Sequence, residues 1–344
     1  MSFSNRLIHW YLQNDRDLPW RKSKNPYFIW LSEIRPQPTR GSQGLAYYLT
    51  STKEFPTVFD LAKAPETKVL KLWQGLGYYS RARNLHYSAK YIVNELDGVF
   101  PTNYKELLKL KGVGDYTASA ISSICFNEVQ AVVDGNVYRV LSRYFNIDTP
   151  INSSKGIKEF KELAQSLIDP SLPGNHNQAV MDFGALCCKP QKPLCATCVL
   201  NDSCGALQKN RVQVLPIKEK KIKIKKRYFN FLVIRSENGK TVLSQRKGKG
   251  IWEGLYEFPL METEKSFELT VNSPELNKWI NNPIELTLFN TKEIVHKLSH
   301  QHLYTKFWII DVKNVSVDTV NWSDLEKYPV PILIANFLKN FNST

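Results

Sequence analysis

Cys188-Lys189-Pro190-Gln191-Lys192-Pro193-Leu194-Cys195-Ala196-Thr197-Cys198-Val199-Leu200-Asn201-Asp202-Ser203-Cys204 holds four cysteines in the spacing C-x6-C-x2-C-x5-C. Thiolates are soft ligands, and four of them within seventeen residues have the reach and count to wrap a cubane iron–sulfur cluster. A structural zinc site is the alternative. Zinc ribbons show two close C-x2-C pairs, whereas this loop has one, so the spacing favours the cluster. The remaining cysteines, Cys125 and Cys187, sit in apolar helical contexts and read as packing groups.

Composition points the same way. Forty-six Lys plus Arg against thirty-two Asp plus Glu leave a net charge of +14 over 344 residues, which favours a polyanionic partner through counterion release. The length allows two or three domains with sizeable cores. No apolar run approaches the roughly 18 residues needed to span a bilayer, and Met1–Trp10 lacks a signal-peptide pattern. The expected setting is therefore cytoplasmic and nucleoid-associated, with no membrane partner.

Texture divides the chain. Residues 1–210 carry apolar residues at helical spacing, such as Val69, Leu70, Leu72, Trp73 and Leu76, and should be all-helical. Residues 211–227 form a basic run with Lys218, Lys220, Lys221, Lys223, Lys225 and Lys226, read as an exposed linker or a phosphate-contacting segment. Residues 228–344 change period. Tyr228–Ile234, Thr241–Gln245 and Tyr304–Val312 read as strands, and Ser273–Ile280 and Ile332–Phe341 as helices, which makes an α+β domain.

Two motifs precede the cysteines. Leu110-Lys111-Gly112-Val113-Gly114 joins helical patterns over Asn103–Lys109 and Thr117–Ser123 and has the form of a helix-hairpin-helix turn. Its glycines let the backbone approach a phosphate, and the following helix offers unpaired amides and a positive dipole end. Asp134-Gly135-Asn136-Val137 places a carboxylate at the start of the helical pattern Tyr138–Tyr144, where an ordinary N-cap is the simplest role.

The order hairpin, aspartate, cysteine loop resembles the iron–sulfur branch of the helix-hairpin-helix DNA glycosylases. Within it the chain resembles the adenine DNA glycosylases of the MutY family over nearly its whole length. The likeness rests on Leu18-Pro19-Trp20-Arg21, Pro26-Tyr27, Trp30-Leu31-Ser32-Glu33-Ile34, Gly75 to Leu85, the hairpin, Asp134 to Val137, and Met181-Asp182-Phe183-Gly184-Ala185. The resemblance implies a helical glycosylase region with a [4Fe-4S] loop, a basic linker and a Nudix-like C-terminal domain.

It also implies chemistry. Glu33 would protonate the flipped adenine, with burial beside Trp30 and Ile34 keeping its proton near neutrality. Asp134 would stay ionised and stabilise the cationic sugar electrostatically, or trap it covalently before water arrives, while Tyr116 and Asn136 orient the two acids. In the related endonuclease III type of enzyme a lysine stands where this chain has Tyr116. Without that amine no Schiff base forms, so base removal without strand cleavage is expected. Arg21, Gln37, Thr39, Lys111, Gly112, Val113 and Gly114 would meet DNA. Tyr78 is the candidate wedge for base extrusion, with Tyr79 or Tyr78 itself as core filler in the plainer reading. The implied partner is duplex DNA containing adenine opposite 8-oxoguanine or guanine, bound by a monomer.

The C-terminal likeness lies in Gln245-Arg246 and Gly250 to Pro259, but the Glu-rich metal-binding box of a Nudix hydrolase is absent from Leu260–Trp279. This domain should bind 8-oxoguanine, through Leu298, Ser299 and His300, and not hydrolyse. His296, His300 and His302 could suggest a metal site, but no carboxylate or thiol accompanies them.

One stretch departs from the family. After Glu33 the family runs Met-Leu-Gln-Gln-Thr-Arg-Val, and this chain reads Arg35-Pro36-Gln37-Pro38-Thr39-Arg40-Gly41. Two prolines in a helix interior cost about 3 kcal/mol or more each, so the helix should end early, and Arg35 adds a cation beside the proposed acid. The alternatives to an active enzyme are accordingly a lesion-binding protein with impaired excision and, less well matched, a bifunctional endonuclease III type of glycosylase.

Overall fold

The computed structural model describes residues 2–34, 41–219, 224–280, 283–315 and 317–341. Gln37 and Thr39, with the rest of 35–40, lie outside the described residues, as does the expected effect of Pro36 and Pro38. The helices are α1 (Phe3–Asn14), α2 (Pro26–Ile34), α3 (Gly41–Glu54), α4 (Val58–Lys63), α5 (Glu66–Leu72), α6 (Ser80–Glu95), α7 (Tyr104–Leu107), α8 (Asp115–Phe126), α9 (Gly135–Tyr144), α10 (Ser154–Leu167), α11 (Pro173–Leu186), α12 (Gly205–Gln208) and α13 (Ile332–Phe341). None of them is long and apolar enough to cross a membrane.

The chain forms two compact units, residues 1–63 with 84–220, and residues 64–83 with 221–344. The first is helical, as its periodicity predicts. Side-chain caps start several of its helices: Ser2 on α1, Asn103 on α7, Asp134 on α9 and Ser153 on α10 each accept an amide from the first turn. Leu7, Ala120, Val140, Phe160, Val180 and Phe183, from α1, α8, α9, α10 and α11, then meet in one core. Each large apolar side chain buried there contributes roughly 1.5–3 kcal/mol, which fixes the helices that carry the site.

The second unit is α+β. Its strands are β1 (Lys225–Ser236), β2 (Lys240–Thr241), β3 (Ser244–Gln245), β4 (Tyr256–Glu257), β5 (Leu260–Thr263), β6 (Glu285–Leu288), β7 (Ile294–Lys297), β8 (Gln301–Val312) and β9 (Val320–Asn321). The main sheet runs β5-β1-β8-β6, with β7 also pairing β8, and β1 and β8 are parallel with Phe231 opposite Phe307. Both sheet faces are covered, so β1 is buried continuously from Phe229 to Ile234. Phe307 stacks on Phe337 of α13 at 4.2 Å between ring centroids, while Leu232, Ile234, Trp308 and Ile310 fill the other face.

Local expectations differ from this fold in five places. Thr241–Gln245 is no continuous strand but parts of β2 and β3, which pair with β9 and β4 in separate small sheets. Ser273–Ile280 holds only a 3₁₀ turn over Pro274–Lys278, and the pattern at Asn103–Lys109 shrinks to α7, a single turn. The basic stretch from Arg211 is not a bare tether. Leu215 is buried, Ile217 O accepts the amide of Ile151, and β1 already begins at Lys225. Apolar Leu215 and Ile217 among the charges supply that anchorage. Finally, residues 64–83, helical as read, group with the C-terminal unit.

Candidate active site

A cavity of about 420 Å³ opens in the first unit, and its walls include Trp20, Ile29, Glu33, Tyr116, Asp134, Asn136, Gln178 and Met181. Glu33 sits near the end of α2, whose other residues Ile29, Trp30, Leu31 and Ile34 are buried. Tyr116, in the first turn of α8, donates its hydroxyl proton to Glu33 Oε2 at 2.6 Å. The two residues are eighty-three positions apart in the chain, and the fold closes that gap.

Asp134 both caps a helix and lines the cavity. Its Oδ1 accepts the amides of Asn136 and Val137 at 2.8 Å each, so it is the N-cap of α9, and the same side chain faces the cavity. Asn136 Nδ2 donates to Asp134 Oδ2 at 2.9 Å, and Arg139 in turn donates to Asn136 Oδ1 at 2.8 Å. Burial pushes the Asp134 carboxyl above its ordinary range, against the pull of these amides and of Arg139. A cation arriving beside this carboxylate would relieve that cost.

Arg139 was not legible as a site residue. It also donates to the carbonyls of Gly184 at 2.6 Å and Cys188 at 2.7 Å, and so joins the start of α9 to the first cysteine of the loop. The available signal was its place three residues beyond Asn136, on the same helix face. Gly184 is required there, because a Cβ would lie 2.7 Å from Asn136 Cβ. Arg143, one turn further, donates to Lys189 O at 2.8 Å and lies 3.5 Å from Cys188 Sγ.

Cys188, Cys195, Cys198 and Cys204 line one small cavity with Phe183, Leu200 and Leu207. An all-thiol donor set around a largely apolar hollow, flanked by a guanidinium that offsets negative charge, fits an iron–sulfur cluster. Among the described residues no three His, Cys, Asp or Glu side chains gather as a single-ion site.

Arg21 lines the cavity, but its guanidinium hydrogen-bonds both oxygens of Asp182, a carboxylate with no exposed side-chain surface. Arg16 adds two more bonds to Asp182 Oδ1. The hairpin stands as expected between α7 and α8. Gly112 has φ +83° and a Cβ on it would lie 2.6 Å from Asn84 Cβ, so only glycine fits. Lys111 Nζ rests 4.4 Å from the Tyr87 ring centroid, Val113 is buried, and Gly114 starts α8 without a side-chain cap.

In the second unit Tyr78 and Tyr79 differ in exposure. Tyr79 is buried, and Tyr78 is 52 % exposed with φ +45°, a conformation a tyrosine rarely adopts. Leu298, Ser299 and His300 form the turn between β7 and β8, closed by Leu298 N donating to Gln301 O. The hydroxyls of Tyr78 and Ser299 lie 2.7 Å apart.

Helical bundle, hairpin and cysteine loop together define a base-excision glycosylase with an iron–sulfur cluster, and comparison with known proteins agrees. Residues 32–166 match the HhH-GPD superfamily of base excision DNA repair proteins, 188–204 the iron–sulfur binding domain of endonuclease III, and 230–340 the NUDIX domain. The second match begins and ends on the outer cysteines. An adenine DNA glycosylase of Buchnera aphidicola subsp. Baizongia pistaciae is 35 % identical over 99 % of this chain and 98 % of its own. The Rattus norvegicus adenine DNA glycosylase is 35 % identical over 87 % of this chain and 68 % of its own. Among solved structures, a thermostable thymine-DNA glycosylase superposes with TM-score 0.56 at 31 % identity, covering 60 % of this chain and 95 % of its own. The chain belongs to the adenine DNA glycosylase family.

Proposed function

We propose that this glycosylase acts as a monomer on duplex DNA and removes adenine opposite 8-oxoguanine or guanine, leaving an abasic site without cutting the strand. The observation that carries the reading is the shared cavity, with Glu33 held by Tyr116 on one wall and Asp134 held by Asn136 on another. A volume of about 420 Å³ accommodates a nucleobase.

Glu33 is the acid that gives a proton to the extruded adenine and so improves the leaving group. Tyr116 orients it. Departure of the base leaves positive charge on the sugar, and Asp134 stabilises that charge more strongly than it does any neutral ground state. Asn136 fixes its rotamer. No amine occupies the position of Tyr116, so water and not a Schiff base captures the sugar cation at C1′, and the proton it releases returns to the Glu33 carboxylate. The cluster, when bound, supplies a rigid cross-link for the loop 188–204, and base excision itself transfers no electrons.

Lys111, Gly112, Val113 and Gly114 hold a phosphate at the α8 start, and Tyr78 wedges into the gap left by the extruded base. Leu298, Ser299 and His300 read the oxidised purine opposite. Arg21, with both terminal nitrogens of its guanidinium hydrogen-bonded to Asp182, serves as a brace of the cavity wall.

The test is a single-turnover assay on a duplex with adenine opposite 8-oxoguanine, with and without alkali. Strand breaks only after alkali support the reading, and Glu33→Gln or Asp134→Asn should each lower the rate by a factor of about 10² or more. Breaks without alkali would make the enzyme bifunctional. Tight binding with no breaks would assign it to lesion binding, as the Arg35-Pro36-Gln37-Pro38 segment suggests.

A further inference from the structure

The hairpin carries an acid where a phosphate is to be bound. Asp115 follows Gly114 directly and lies in the first turn of α8. A carboxylate there favours the helix dipole, yet it repels a phosphate approaching the same amides. Both of its oxygens are engaged. Tyr104 of α7 donates its hydroxyl to Oδ1 at 2.6 Å, and Lys161 of α10 donates to Oδ2 at 3.0 Å.

Lys161 is not a loose surface lysine. Its ammonium has three N–H donors, and the structure uses all of them, on Asp115, on Ser119 Oγ at 3.2 Å and on Ala131 O at 2.8 Å. The Tyr104 ring lies beneath it at 5.7 Å. By contrast the nearby pair Lys158–Glu162 is separated by 3.8 Å and both side chains are largely exposed.

We infer that Lys161 is a positioning residue for DNA binding: it neutralises Asp115 and holds that carboxylate against α7 and α10, which keeps the start of α8 open to a backbone phosphate. The inference rests on the phosphate role proposed for the hairpin.

Binding is measured on a duplex with 8-oxoguanine opposite cytosine, which offers no adenine to remove, at several salt concentrations, with the cluster-loaded full chain. Lys161→Gln should weaken binding about three- to tenfold at low salt, with the loss shrinking as salt rises, because a bare carboxylate then faces the phosphate. Adding Asp115→Asn should restore binding to within about twofold of the parent, and Lys161→Arg should stay near it. A double variant as weak as Lys161→Gln alone, or a loss that ignores salt, overturns the inference. Should Lys161→Gln not fold, Asp115→Asn alone decides: binding tightened about threefold supports the inference, and unchanged or weaker binding overturns it. Lys111→Ala separates the two readings, since parental affinity and salt dependence in that variant would reject the hairpin's phosphate role itself.

Discussion

Replacing Asp182 by asparagine should be among the most damaging single changes in the helical unit. The Asp182 side chain has 0 % exposure and binds Arg21, which is 11 % exposed, and Arg16, which is 43 % exposed. Burial works against the charge on Asp182, but the Arg21 and Arg16 hydrogen bonds outweigh it and hold the carboxyl below its ordinary range. The amide keeps the shape and loses the charge, so Arg21 is left as a buried cation against a neutral group. Breaking a buried pair in this way costs about 3–5 kcal/mol. At roughly 2–4 °C per kcal/mol for a unit of this size, Tm should drop by about 6–20 °C. Chemical denaturation at neutral pH with an unchanged m-value is the assay. Arg21→Met should cost nearly as much, Arg16→Ala about 1 kcal/mol or less, and Asp182→Leu with Arg21→Met should recover part of the loss. A cost below about 1 kcal/mol for Asp182→Asn would refute the buried-brace reasoning and return Arg21 to the DNA surface.

Three further outcomes are expected. Burial lowers His176 from 6.5 to about 4, beside Ser4, whose Oγ lies 2.6 Å from Nδ1. The unfolded chain takes up that proton first, so stability falls as pH drops from 6.5 to 4, by about 3 kcal/mol in all, and His176→Gln should flatten the slope in pH-dependent denaturation. Cys198→Ser should bleach the brown absorbance of the purified protein and weaken DNA binding together, read by spectrum and by gel shift. Ser299→Ala and Tyr78→Phe should each reduce the preference for 8-oxoguanine over guanine about fivefold or more, and equal preference in the parent would remove the proposed role of the β7–β8 turn.

How far the sequence reaches is clearest at individual residues. The hairpin is readable because Gly112 needs a left-handed backbone and Lys111 and Gly114 flank it in order. The strand β1 is readable because its apolar run is local, whereas Thr241–Gln245 has the same β character and is split by pairing with two distant partners. Asp134 illustrates the boundary within one side chain. Its cap role follows from the residue type at a helix start, and its cavity role depends on α8 and α11 packing around it.

Amino-acid order alone sets the metal chemistry, since four thiols on one short loop supply a complete ligand shell wherever the loop goes. It also determined which residue types were available for acid and anion. Helix packing then sets how other charges are used: Arg139 on Cys188, Arg21 on Asp182 and Lys161 on Asp115 join residues 49, 161 and 46 positions apart. Periodicity reports which side of a helix is apolar. It carries no information about which distant charge that side will meet, because the pairing is fixed by the packing of whole helices.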